Sequence, residues 1–121
     1  KEVDKMSDDL HKNDIIRPST SPWNFPLVVV RKKNGKLRLC VDYQKLNEIT
    51  KRPIYPLPDN REFLDSFEEN KLFLCLDFSS GYYQVPMSGK DKSKTSFCTR
   101  KGQFEFNRMH FGLSGAPATF Q

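Results

Sequence analysis

The stretch LFLCLDFSSGYYQV, Leu72 to Val85, decides how this chain is to be read. Leu72, Leu74, Leu76 and Phe78 alternate with Phe73, Cys75 and Asp77, and a period of two is that of a β-strand. The first set is wholly apolar and is expected to face a core. The second begins apolar, narrows to a thiol and ends on a carboxylate. An unpaired buried charge is strongly unfavourable, so Asp77 is expected at a strand end on the less packed side, where water or a cation can reach it. Taken alone, Asp77 is better explained as a cap for the turn through Ser79, Ser80 and Gly81, a common place for Asp. A carboxylate held at a rigid strand end also makes a good metal ligand, and the choice between the two needs the rest of the chain.

Before this stretch, Val3, Met6 and Leu10 fall on one helical stripe and predict a short amphipathic helix between Val3 and Asp14. Ile15 to Pro26 carries three prolines and reads as a connecting loop. Pro26 to Tyr43 predicts a β-hairpin, with Asn34-Gly35 supplying a type I′ turn. In its second strand Leu37, Leu39 and Val41 share one face; Lys36, Arg38, Cys40 and Asp42 share the other. Thr50 to Asp59 is a second proline-rich connector. Asp59 and Glu62 then resemble a capping box for a helix carrying Phe63, Leu64 and Phe67 and ending near Asn70. After the opening stretch, KTSFCT and QFEFNR predict a second hairpin around Arg100 to Gly102. The tail FGLSGAPATFQ reads as a turn followed by the first turn of a helix. Helices and strands do not alternate regularly, so the fold class is α+β.

At 121 residues, the expectation is one domain. Only 36% of residues are apolar and 29% are charged, so much of the surface should face water or a polar partner. Lys and Arg total 20 against 15 acidic residues, a net charge of +5 that suits a polyanion such as nucleic acid. No apolar run reaches the ~18 residues of a membrane span and the start has no secretory core, so no membrane partner and no secretion are expected. Cys40, Cys75 and Cys98 are spaced for neither disulfides nor zinc and read as small reduced core residues.

Taken together, SPWNFPLVVVRKKNGKLRLCVDYQKLN, YPLP, LDFSSGYYQV, KTSFCT and FEFNRMHFGLSGAPATFQ occur in an order and spacing that resemble the amino-terminal half of the reverse transcriptase of gypsy-type LTR retrotransposons. The resemblance covers essentially the whole chain. It implies the fingers and part of the palm of a right-hand polymerase, with fingers over about 1–52 and 85–115 and palm over about 53–84 and 116–121. It implies an RNA-directed DNA polymerase extending a primer 3′-hydroxyl on an RNA or DNA template from deoxynucleoside triphosphates. Two magnesium ions, or manganese in their place, would serve the transfer. The parent polyprotein would add the remaining palm, the thumb and an RNase H. Such a protein would work inside the cell, in a cytoplasmic virus-like particle or the nucleus.

Residue by residue, the resemblance makes Asp77 the first metal-binding aspartate, with the backbone carbonyl of Phe78 as a neutral oxygen ligand. Tyr82 matches the aromatic floor of the sugar site that excludes a 2′-hydroxyl. Lys32 and Arg38 match the residues that hold the triphosphate, Arg as a planar fork and Lys as a point charge. Phe111 and Gly112 line the nucleotide site. Arg31, Lys33 and Lys36 complete a basic hairpin tip toward nucleic acid; on its own, such a tip is also a common way to protect a sheet edge. His110 and Gly115 depart from the family's usual Pro and Asn, and His110 reads as a loop histidine without a catalytic partner set.

The chain stops at Gln121, before the Tyr-x-Asp-Asp hairpin that carries the family's other catalytic carboxylates. These 121 residues alone are therefore not expected to polymerise DNA, and the isolated chain should be loosely packed or prone to associate, with apolar groups such as Phe120 exposed. The competing expectation is a decayed or repurposed retroelement remnant that binds nucleic acid or protein without chemistry.

Overall fold

A computed structural model describes residues 2–56 and 59–121, so Leu57 and Pro58 of the YPLP motif lie outside the described residues. Helix α1 spans Glu2–Lys12, with acids in its first turn and His11 and Lys12 in its last, each complementing the helix dipole. It ends in a Schellman arrangement. Asp14 takes a left-handed φ of 58°, its N–H donates to the His11 carbonyl, and the Ile15 N–H donates back to Leu10.

The chain then forms a strand where the prolines predict a loop. β1, Ile16–Pro18, pairs antiparallel with β5, Gly102–Phe106, and β5 pairs in turn with β4, Phe97–Thr99. Pro18 is tolerated because β1 is an edge of the β1-β5-β4 sheet and the proline closes the strand. Its neighbour Ile16 is fully buried opposite Phe106, and that burial outweighs the turn tendency of the segment.

β2, Leu27–Arg31, and β3, Leu37–Val41, form the expected hairpin, and Leu39 and Val41 face inward as their alternation requires. The turn is not type I′. Only Gly35 has positive φ, at +79°, and the Gly35 N–H donates to the Lys32 carbonyl while the Lys32 N–H donates to Lys36. A three-residue loop with glycine in the left-handed position satisfies the strand twist without forcing Asn34 there. The two sheets join where Phe25 bridges Phe97 and its N–H donates to the Ser96 carbonyl. Around that seam Ile16, Phe25, Val41, Tyr43, Leu46, Phe97 and Phe106 make the core. Tyr43 enters it by donating its hydroxyl to the Thr95 carbonyl at 3.0 Å.

Helix α2, Gln44–Ile49, was not signalled by the sequence pattern; it starts where Asp42 Oδ1 accepts the Gln44 N–H and buries Leu46. α3, Asn60–Asp65, begins on Asp59, whose Oδ1 accepts the Arg61 N–H, and turns continue it toward Asn70. α4 spans Ala116–Phe120.

The largest correction concerns the opening stretch. Residues 72–78 form no strand, and both faces are open: Leu72 is 93% exposed, Leu74 85% and Phe73 63%. Alternation selects a face but cannot supply a partner, and among the described residues no strand lies beside this segment. The cysteines also differ from expectation. All three are free, but Cys75 and Cys98 are exposed and only Cys40 is partly buried.

Candidate functional site

Four parts of the chain, far apart in sequence, meet in a cleft of about 470 Å³. The hairpin contributes Lys32 and Arg38, with Leu37 and Leu39 beneath them. The turn before Val85 contributes Ser80 and Tyr83. Phe111 comes from the loop after β5, and α1 closes the cleft with Met6, Asp9, Leu10 and Asn13.

The Arg38 guanidinium carbon lies 5.3 Å from the centroid of the Phe111 ring, a cation–π contact. No carboxylate is ion-paired to Arg38 among the described residues, so its donor fork is available to an incoming anion. Lys32 is set by the backbone bonds that close the hairpin turn. Arg31, Lys33 and Lys36 are exposed on the same hairpin but do not line the cleft.

Ser80 has a left-handed φ of 49° and turns the chain into a 3₁₀ helix over Gly81–Gln84. Tyr82 and Tyr83 therefore do not point to opposite faces of a strand. Tyr82 is half-buried, 4.9 Å from Phe111 and 5.3 Å from Phe120 between ring centroids. Gly81 permits this: a Cβ there would lie 2.7 Å from Phe120 Cζ. Tyr83 lines the cleft, and burial pushes its hydroxyl up to about 12, with Cys40 adding to the rise and the Arg38 charge opposing it. It stays a neutral donor at any ordinary pH.

Gly112 has a φ of +92°, which a side-chain-bearing residue rarely adopts; an added Cβ would be only in ordinary contact with the Val41 carbonyl, 3.5 Å away. Asn47 of α2 clamps this loop, donating from Nδ2 to the Gly112 carbonyl at 2.7 Å and accepting the Ser114 N–H on Oδ1 at 2.9 Å. His110 is in a loop, as expected, yet it is 1% exposed. Burial lowers its pKa to about 4; the Phe111 and Leu39 carbonyls oppose that shift and the Arg38 charge reinforces it.

Asp77 lies on the exposed 72–78 segment and is outside the cleft lining. It does not cap the Ser79-Ser80-Gly81 turn, since its side chain makes no hydrogen bond among the described residues. Its neighbour reaches the cleft only through successive rings: Phe78 meets Phe120 at 6.0 Å, Phe120 meets Tyr82, and Tyr82, itself outside the lining, meets Phe111. A second cavity of about 500 Å³ lies between α2, the Val85–Ser88 turn and α4, lined by Leu46, Met87, Met109 and Leu113 among others. It contains none of the catalytic, metal-binding or nucleotide-binding residues expected from the sequence, whereas the smaller cleft carries Lys32 and Arg38.

The family profile described as reverse transcriptase (RNA-dependent DNA polymerase) matches residues 30–121. The chain belongs to the reverse transcriptase family. It is 44% identical over 125 residues to the retrovirus-related Pol polyprotein from transposon opus of Drosophila melanogaster, covering 99% of this chain and 12% of that protein. It is 43% identical over 118 residues to the corresponding polyprotein from transposon gypsy of the same organism, covering 93% of this chain and 11% of that one. This reverse transcriptase segment thus spans about an eighth of the polyproteins it matches. In fold it is similar to the prototype foamy virus protease-reverse transcriptase, with a TM-score of 0.84 at 24% identity over 98% of this chain and 16% of that one. A foamy viral protease-reverse transcriptase solved in complex with RNA/DNA hybrid superposes with a TM-score of 0.79 at 22% identity, over 98% of this chain and 16% of that one. The α+β fold is that of the fingers and palm portion of such an enzyme.

Members of this family generally use divalent metals. The donor set described here does not by itself make such a centre: no group of three or more His, Cys, Asp or Glu side chains is placed to hold a metal among the described residues. Asp77 offers one exposed carboxylate. A pair of close divalent ions needs several oxygen ligands, so further ligands would have to come from residues outside this segment.

Sequence reasoning missed Ser80, Tyr83 and the α1 wall. The adjacent tyrosines were visible, but the ordered motifs marked only Tyr82. Nothing in the pattern of α1 marks Asp9 or Asn13 as cleft residues.

Proposed function

We propose that this segment is the fingers and part of the palm of an RNA-directed DNA polymerase, and that the cleft between α1, the β2–β3 hairpin and Phe111 receives the incoming deoxynucleoside triphosphate. The observation that carries this reading is the convergence of Lys32 and Arg38 of the hairpin with Phe111, from a distant part of the chain, on one cleft. Arg38 rests its flat guanidinium on Phe111 and presents its donors without a competing carboxylate, which suits a bidentate phosphate contact. Lys32 adds a mobile positive charge from the hairpin turn. Asp9 on the opposite wall repels phosphate, which favours seating it toward the hairpin.

Tyr82 is the sugar-site floor in this reading. Its ring is braced between Phe111 and Phe120, and a braced ring discriminates against an added 2′-hydroxyl better than a mobile one. Phe111 and Gly112 border the nascent base pair, with Asn47 fixing the loop that carries them. Arg31, Lys33 and Lys36, exposed beside the cleft residues, bind backbone phosphates of an RNA–DNA template-primer. Asp77, with the Phe78 carbonyl, contributes one part of a magnesium site completed by the longer protein. Residues about 1–52 and 85–115 act as fingers, and about 53–84 and 116–121 as palm.

Because Asp77 is the only carboxylate among the described residues assigned to the metal site, the 121-residue chain alone does not polymerise. Primer extension with magnesium, template-primer and deoxynucleotides is expected to give no more product than an Asp77→Ala control. In the longer protein, the same substitution is expected to abolish extension. Templated product from the 121-residue chain above that control, or full activity of the longer Asp77→Ala protein, would overturn the assignment.

A further inference from the structure

His110 is a buried titratable ring to which the proposed nucleotide site gives no role. It sits 4.2 Å from Phe106 between ring centroids, tilted by 31°, and Phe106 is itself completely buried, with its N–H donated to Thr95 Oγ1. On its other sides lie Tyr83 at 5.9 Å, Phe111 at 6.0 Å and Tyr43 at 6.0 Å. The imidazole is therefore a wedge between the fixed core and two rings that line the cleft. Its Nδ1 is buried and makes no well-formed hydrogen bond among the described residues.

Arg38 has no ion pair among the described residues, and its head group lies over the Phe111 face. A displaced Phe111 would take away the ring face on which the guanidinium rests. Phe111 in turn is held by Tyr82, Tyr83 and His110; Tyr83 packs against the margin of the core, and His110 joins Phe111 to the fully buried Phe106. We infer that His110 is a positioning residue that sets the Phe111 ring and, through it, the phosphate-binding placement of Arg38. Burial keeps the imidazole uncharged near neutral pH, so it does this without repelling the neighbouring Arg38. This inference rests on the reading of the cleft as a nucleotide site.

The test uses the longer polymerase that contains this segment, with steady-state primer extension as the readout. His110→Ala should raise the KM for deoxynucleoside triphosphate about tenfold with kcat within about twofold, the split expected when substrate binding is loosened. His110→Phe, which keeps the wedge, should restore KM to within about twofold of the wild type. In an Arg38→Ala background, His110→Ala should change KM little further, because residues that act through one contact are non-additive. Full additivity of the two changes, or an unchanged KM in folded His110→Ala protein, would overturn the inference. If His110→Ala does not fold, His110→Leu replaces it, filling the volume without a flat ring; a raised KM supports the role and a wild-type KM refutes it. Failure of the wild-type protein to extend a primer would instead remove the nucleotide-site reading itself.

Discussion

The β2–β3 hairpin and residues 72–78 are both written in alternating apolar residues, yet one is a paired, half-buried element and the other lies open on both faces. The hairpin carries its own partner. Asn34 and Gly35 bring Leu27–Arg31 and Leu37–Val41 together, and Leu39 and Val41 then reach the core around Phe25 and Phe97. Residues 72–78 have no such local closure, and their side chains touch the rest of the molecule chiefly through rings: Phe73 with Phe67, and Phe78 with Phe120. Hydrophobic period two thus states a requirement for burial; pairing decides whether it is met.

Loss of the core beneath the hairpin should have the largest effect. Phe106→Ala removes a fully buried ring packed on Phe97 and His110, and a cost of about 3–5 kcal/mol is expected in urea unfolding of the 121-residue chain. A cost below about 1 kcal/mol would mean that this half is as loosely held as residues 72–78.

Acid should strike the same half, somewhat less. His110 titrates at about 4 when folded against an ordinary value of 6.5, so between those values the unfolded chain binds more protons and stability rises with pH. Equivalently, the contribution is complete above about pH 6.5 and is lost as pH falls toward 4, amounting to roughly 3 kcal/mol for a shift of this size. His110→Phe should flatten this part of the profile when unfolding of the two proteins is compared across pH 4–7. Parallel profiles would show that the imidazole is not sealed from water.

How much of this was legible depended on the range of the signal. The hairpin, α1, the Asp59 cap and the β4–β5 pair are announced by neighbours within a few residues, and all are present. β1 was hidden, because the residue that secures Ile16 is Phe106, at the far end of the chain, while the nearby prolines argue for a loop. The turn type was misjudged because Asn-Gly serves more than one hairpin loop. At the site, Lys32, Arg38 and Phe111 were visible only through the ordered motifs, since no local pattern says that they meet. Tyr83 was overlooked because the ordered motifs marked only Tyr82, and nothing local shows that the left-handed Ser80 starts a 3₁₀ turn that brings Tyr83 to the cleft. His110 was recognised as a loop residue, but its burial depends on Phe106, Tyr43 and Tyr83 arriving from three other elements.

The smallest effect should come from the open segment. Leu74 is 85% exposed, so Leu74→Ala removes little buried surface and is expected to change the stability of the 121-residue chain by no more than about 0.5 kcal/mol. A neutral result by itself would not separate a segment with no structural role from one awaiting a partner. The same substitution in the longer polymerase makes that distinction. On the proposed palm assignment, residues outside this segment cover the Leu72, Leu74 and Leu76 side chains, and truncating a covered leucine costs about 2–5 kcal/mol. The expected pair of values is therefore near zero in the short chain and several kcal/mol in the long one. Equal small values in both would leave the alternation of residues 72–78 without a folded consequence and remove Asp77 from any rigid strand end.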